Sequence, residues 1–201
     1  MKKNLLFIVL FLFALCKAQT DKESHWKKEI NDITLNSAGE KEIQNIQNII
    51  KNCRQSGFTQ CEGSGYLKIA YIFFKNNNTV EAIHYLDKIE KDQLITSDSD
   101  LEAFFHLKTL QCSIYQSTGE YTAALEKLKE FPEKVNDYPY FNYWINVLNG
   151  NIYGHLQNND LAIKYYKKAY KLSKTCREES NLKKLSIKRE NQIGNSYKAT
   201  S

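Results

Sequence analysis

Gly150, Tyr153, Ala162, Tyr166 and Ala169 stand at successive intervals of three, nine, four and three residues. The same intervals connect Ala70, Phe73, Ala82, Leu86 and Ile89, and again Cys112, Tyr115, Ala124, Leu128 and Phe131. Self-similarity at a fixed period of this length predicts stacked copies of one supersecondary unit, because a single copy cannot bury its own apolar face. The residue types suit a helical hairpin. A small residue lets two helices approach, the aromatic fills the space above it, and the alanine sits where the second helix crosses the first.

The segments between these marks carry helical signals. Tyr66, Ile69, Ala70 and Phe73 form one apolar stripe, and Ala82, Leu86 and Ile89 the next. Leu107, Leu110, Ile114 and Tyr115 form a third, and Trp144, Val147, Leu148 and Ile152 a fourth. Such spacing marks core-facing helices. Ser37, Asn78, Ser99 and Thr175 each precede a glutamate by three residues, the spacing of a capping box. Pro139 suits a first helical turn. Helices are therefore predicted over about 22–33, 38–54, 64–76, 79–91, 99–117, 120–131, 139–156, 159–173 and 176–197, with Trp26 anchoring the first. The short Asn-, Gly-, Ser- and Asp-rich links make neighbours antiparallel.

The pattern resembles the tetratricopeptide repeat (TPR) over residues 63–174. The match is loose. The alanines are 42 and 38 residues apart, against a family period of 34. Lys108 and Asn146 stand where the family places an early aromatic, and the closing prolines are absent. The resemblance implies an all-α fold, an α-solenoid of antiparallel hairpins. Its expected divisions are a signal peptide over 1–18, an extension over 19–36 and a helical domain over 37–201. Within that domain the repeats are 63–94, 105–136 and 143–174, and 175–198 is a capping helix with Leu182, Leu185, Ile193 and Tyr197 inward. Packing within the repeats falls to Ala70, Phe73, Ala82, Cys112, Tyr115, Ala124, Gly150, Tyr153, Ala162 and Ala169, with Gly150 the only glycine at the tight hairpin crossing, a place held by Ala70 and Cys112 in the other copies.

The N-terminus bears on compartment. Lys2 and Lys3 precede an apolar run of 11 residues, Leu5 to Leu15, too short to span a bilayer, which needs about 20 as a helix. Cys16 and Ala18 fit a signal cleaved between Ala18 and Gln19. A lipoprotein reading through Cys16 competes, although Leu15 stands where a lipobox wants a small residue. A retained anchor is a third reading. Without Lys2, Lys3 and Lys17 the chain has 25 basic against 23 acidic residues. Residues 19–170 carry 17 basic and 20 acidic, and residues 171–201 carry 8 and 3. Lys183, Lys184, Lys188 and Arg189 read as a solvated face, and an exported chain makes nucleic acid a poor partner for them. Export permits disulfides. Four cysteines follow residue 18, with three full pairings possible. Cys53 and Cys61, which flank "RQSGFTQ", are the best local pair, and Cys112 reads as a small buried apolar residue.

No catalytic motif stands out. His25, His84, His106 and His155 lie outside any metal or nucleophile pattern, and no phosphate-binding loop is present. "DSDLE" at Asp98–Glu102 lacks the glycine and spaced oxygens of a calcium loop. No cofactor and no metal are expected. The resemblance instead implies a concave groove lined by the first helix of each hairpin. Carried over by repeat position, it presents Tyr71, Phe74 and Lys75 from copy one, His106 and Gln116 from copy two, and Trp144, Asn151 and His155 from copy three. Leu67, Thr109 and Val147 hold the place where a carboxylate clamp needs a basic residue, which argues against recognition of a C-terminal carboxylate. The expected function is a non-catalytic, exported module binding a peptide or protein in an aromatic groove. The alternative is a sensor domain, since the chain also resembles the exported TPR-like regions of bacterial membrane-bound regulators.

Overall fold

The computed structural model describes residues 20–33 and 39–178, and every described element is helical. The first helix, α1, covers 20–32. It is followed by α2 (Glu40–Gln55), α3 (Thr59–Lys75), α4 (Thr79–Lys91), α5 (Leu101–Ser117), α6 (Tyr121–Lys129), α7 (Pro139–His155) and α8 (Asn159–Glu178), with a 3-10 turn at Glu133–Asp137 before α7. The chain divides between Asp100 and Leu101 into two compact units.

The first unit packs α2 on α3 and α3 on α4. Its core includes Ile46, Ile50, Ile69, Ala70, Ile72, Ala82, Leu86 and Ile89. A side cluster of Ile30, Ile49, Cys53 and Cys61 is covered by Trp26, Ile33 and Phe58. Trp26 meets Phe58 with ring centroids 5.7 Å apart, which fastens α1 to the start of α3. A disulfide joins Cys53 to Cys61 with Cα atoms 5.8 Å apart. Beside it, Arg54 donates to Glu62 and to the Tyr66 hydroxyl, so the buried Glu62 carboxylate keeps a cationic partner.

The second unit packs α5 on α6 and α7 on α8, with α6 and α5 also touching α7. Cys112, Ala124, Leu128, Leu148 and Ile152 form one buried cluster. The Cys112 thiol donates to the Ala124 carbonyl at 3.4 Å, and burial pushes its pKa up to about 12. A buried thiol held protonated in this way is a packing residue and a poor nucleophile. Lys108, also buried, pairs with Glu130, which Lys127 reaches at 3.0 Å.

The hairpin turns show the repeat in the backbone. Asn77, Gly119 and Gln157 each take positive φ, at 58°, 80° and 58°. In each, the next amide donates back to the helix, Asn78 to the Phe73 carbonyl, Glu120 to that of Tyr115 and Asn158 to that of Tyr153, at 2.8–2.9 Å. These carbonyls belong to the three repeated aromatics. This is the left-handed helix ending that satisfies otherwise orphaned carbonyls. Asn78 and Asn158 then cap the following helices through their side chains, accepting from the amides of Glu81 and Leu161 at 3.2 Å. Phe73 stacks on Tyr85 at 5.7 Å and Tyr153 on Tyr165 at 5.5 Å, each partner standing eight residues past the turn. In the middle copy that place holds Lys127, a pairing the sequence reading did not single out.

Several expected boundaries move. Helix α3 starts at Thr59, five residues before the expected start, because Gly63 and Gly65 lie inside the helix. Both are close approaches. A Cβ on Gly65 would meet Ile50 Cγ1 at 2.4 Å, and one on Gly63 would meet Ile95 Cγ1 at 2.7 Å. Both lie outside the crossing position that the three copies share, where Gly150 is the glycine. Ser99 does not cap α5, because its hydroxyl and amide bond instead to Thr96. Thr175 starts no helix, since α8 runs through it to Glu178. Ser37 and the rest of the expected helix over 176–197 lie outside the described residues, and α2 is instead capped at Gly39, whose amide donates to Glu42.

Candidate interaction surface

The residues expected to line a groove divide between the two units. Tyr71, Phe74 and Lys75 lie on α3 of the first, with Tyr71 and Phe74 half-buried and Lys75 exposed in the last turn. His106 and Gln116 lie on α5, and Trp144, Asn151 and His155 on α7 of the second. His106 is half-buried, with Nε2 3.8 Å from the Glu102 carboxylate one turn earlier. The Gln116 amide nitrogen and oxygen are both buried without a hydrogen bond among the described residues, so this side chain does not present its amide to an open groove. Asn151 accepts from the Tyr166 hydroxyl at 2.7 Å, which turns its amide toward α8. His155 lies flat against Tyr121 of α6, centroids 5.0 Å apart and planes 8° apart. Trp144 is half-buried, edge-on to Tyr140 and Tyr143.

What the structure assembles in the second unit is an aromatic strip. Phe105 is its buried centre, stacked on Phe141 at 4.4 Å and tilted against Phe131 and Tyr140. Phe104 meets Phe131 edge-on. Tyr138 leans on Phe141 with ring centroids 5.4 Å apart and is 48% exposed. Tyr140 is buried, while Phe104, Phe141, Tyr143 and Trp144 are half-buried. The local cause is Pro139, which opens α7 at its first position directly after Tyr138 and sends Tyr140, Phe141, Tyr143 and Trp144 round successive sides of the first turns. The signal was present in the sequence as "YPYFNYW" from Tyr138 to Trp144. A reading by repeat position selects only Trp144 from it.

The third hairpin ties the geometry to a family. Gly150 faces the Tyr166 ring so closely that a Cβ would stand 2.6 Å from Cε1. Ala162 and Ala169 are buried beneath the same crossing. A tetratricopeptide-repeat family model matches residues 146–176, from Asn146 in α7 to Cys176 in α8. The chain is TPR-like. No curated protein and no solved structure matches it. Among the described residues no group of three or more His, Cys, Asp or Glu side chains is placed to hold a metal ion. No described helix is long and apolar enough to cross a membrane.

Proposed function

We propose that this TPR-like chain is an exported, non-catalytic interaction module that docks a peptide or protein on the aromatic strip of its second unit. The repeat supports a protein-binding role in general. The observation that carries the finer reading is the half-open run from Phe104 through Phe141 and Tyr138 to Trp144. Large aromatic side chains beside a packed core are the usual anchors of an interface, since they contribute contact area at low conformational cost. The strip is built on paired first helices, so a partner meets a preformed surface. Export is supported by Lys2, Lys3, the apolar run to Leu15 and Ala18. The Cys53–Cys61 disulfide supports an oxidising compartment independently.

The test places a photo-crosslinking amino acid at Tyr143 of the mature chain and identifies the adduct in cells by mass. One dominant adduct is expected, lost when the same label is moved to Val80 on α4. Tyr138→Ala with Trp144→Ala should reduce its yield more than about tenfold, with helicity unchanged. An adduct yield indifferent to both substitutions removes the strip as the site.

A further inference from the structure

Helix α1 meets the first unit along one face only. Glu23, Trp26, Lys27 and Ile30 are its covered positions, and the rest of the helix is exposed. That face lies on the Cys53–Cys61 bridge. Ile30 belongs to the same buried cluster as the two cysteines, and all three are 0% exposed. Trp26 and Ile33 pack against that cluster from the same side of the chain.

Polar contacts hold the helix in place over the bridge. Helix α3 begins after Phe58, a residue with no side-chain acceptor for the orphan amides of the first turn. Glu23 supplies one from α1, its carboxylate accepting from the Cys61 amide at 3.2 Å. The bridged cysteine is thus tied to α1 through its own backbone. Lys27 pairs with Asp100 at 2.5 Å and donates to the Gln60 side chain at 3.5 Å. Lys68 donates to the Asn31 carbonyl at 3.3 Å. A helix as short as α1, covering 20–32, is marginal by itself in water, so these contacts decide whether it stays docked. The core of Ile46, Ile69, Ala82 and Leu86 contains no residue of α1, and it is retained when α1 leaves.

We propose that α1 is a strap that closes over the Cys53–Cys61 disulfide and gates its reduction. With α1 docked, neither sulfur is open to an attacking thiolate. With α1 undocked, a dithiol reductant attacks one sulfur as its thiolate. A mixed disulfide forms, and the other cysteine leaves as a thiolate and takes up a proton. The second thiol of the reductant then attacks the mixed disulfide and frees the remaining cysteine. Two electrons and two protons pass from the dithiol to Cys53 and Cys61, and the reductant is left as its own disulfide. The lifetime of the bridge among thiols is therefore set by the docking of α1, and not by the stability of the whole unit.

Reduction of the folded, full mature chain by dithiothreitol tests this, with freed Cys53 and Cys61 trapped by alkylation and counted by peptide mass. Trp26→Ala removes the ring that packs on Phe58, and Lys27→Glu sets a like charge against Asp100. Each should speed reduction by about tenfold or more, because a weaker docking raises the open population in proportion. Lys28→Glu makes the same charge change on the exposed face of α1 and should leave the rate at the parent's value. Ile89→Val, in the buried core on α4, lowers the stability of the unit away from α1 and should also leave the rate unchanged. A parent reduced as fast as both strap variants overturns the proposal. So does an Ile89→Val chain that is reduced as fast as Trp26→Ala, since the bridge would then open only by unfolding of the unit.

Discussion

At the scale of single residues, Gly150 shows how one missing side chain sets a hairpin's geometry. Inside a helix, glycine is usually the worse choice by about 1 kcal/mol relative to alanine. Here the space a Cβ needs is filled by the Tyr166 ring, which is fixed in turn by its hydroxyl bond to Asn151. Gly150→Leu should therefore destabilise the chain by about 1–3 kcal/mol in chemical denaturation. In a Tyr166→Ala background that loss should shrink, giving a coupling of about 0.5–3 kcal/mol, and additive losses would mean the ring is not the obstacle. Gly154, with nothing within 4 Å of a Cβ, is the internal control. The need for a small residue at Gly150 was legible because three copies share it. The same need at Gly65 was hidden, since only the packing shows that Ile50 occupies the space, and "CEGSG" read alone suggests a loop.

At the scale of elements, the hairpins are held by local closures whose contributions can be separated. The Cys53–Cys61 bridge closes a short loop between α2 and α3. Loop-closure entropy for that length gives about 2–3 kcal/mol, so Cys53→Ser with Cys61→Ser should lower denaturant stability by that amount. Glu130 offers a titratable closure. Burial alone would raise its carboxyl pKa, but the hydrogen bonds from Lys108 and Lys127 outweigh it and hold the value below the ordinary 4.5. A folded pKa below the unfolded one means the stabilisation is complete above the ordinary carboxylate range and is lost as pH falls through the folded value. The parent's melting temperature should consequently fall more steeply below pH 4.5 than that of Glu130→Gln. Parallel curves would remove the ion pair from the stability of α5 and α6. Helix positions were largely legible from apolar spacing, whereas ends were not. Ser99 and Thr175 have the right residue for a cap, yet Thr96 captures one and α8 runs past the other.

At the scale of the whole molecule, each unit keeps its own core, and the candidate groove residues are shared out between them. Sequence reasoning found the hairpins because their packing is periodic. It found only part of the aromatic strip, because that surface also depends on Phe104 and Phe105, which are far from Tyr138 in sequence and lie outside the repeated positions. The export reading has a direct check. The secreted or periplasmic chain should begin at Gln19 by N-terminal sequencing and carry one disulfide that blocks alkylation of Cys53 and Cys61. A cytosolic chain that retains Met1 would remove the compartment from the proposed function.

The eight-residue separation of Cys53 and Cys61 also bears on biosynthesis. Two thiols so close along the chain meet without any long-range contact, since short loops close at little entropic cost. The bridge can form once the first sixty or so residues (about the length to Cys61) are available to an oxidant, before either unit is complete. The buried, protonated Cys112 cannot readily attack it afterwards. Pairing of these two cysteines thus does not wait for a finished template, and the first turn can be stapled before the later hairpins exist.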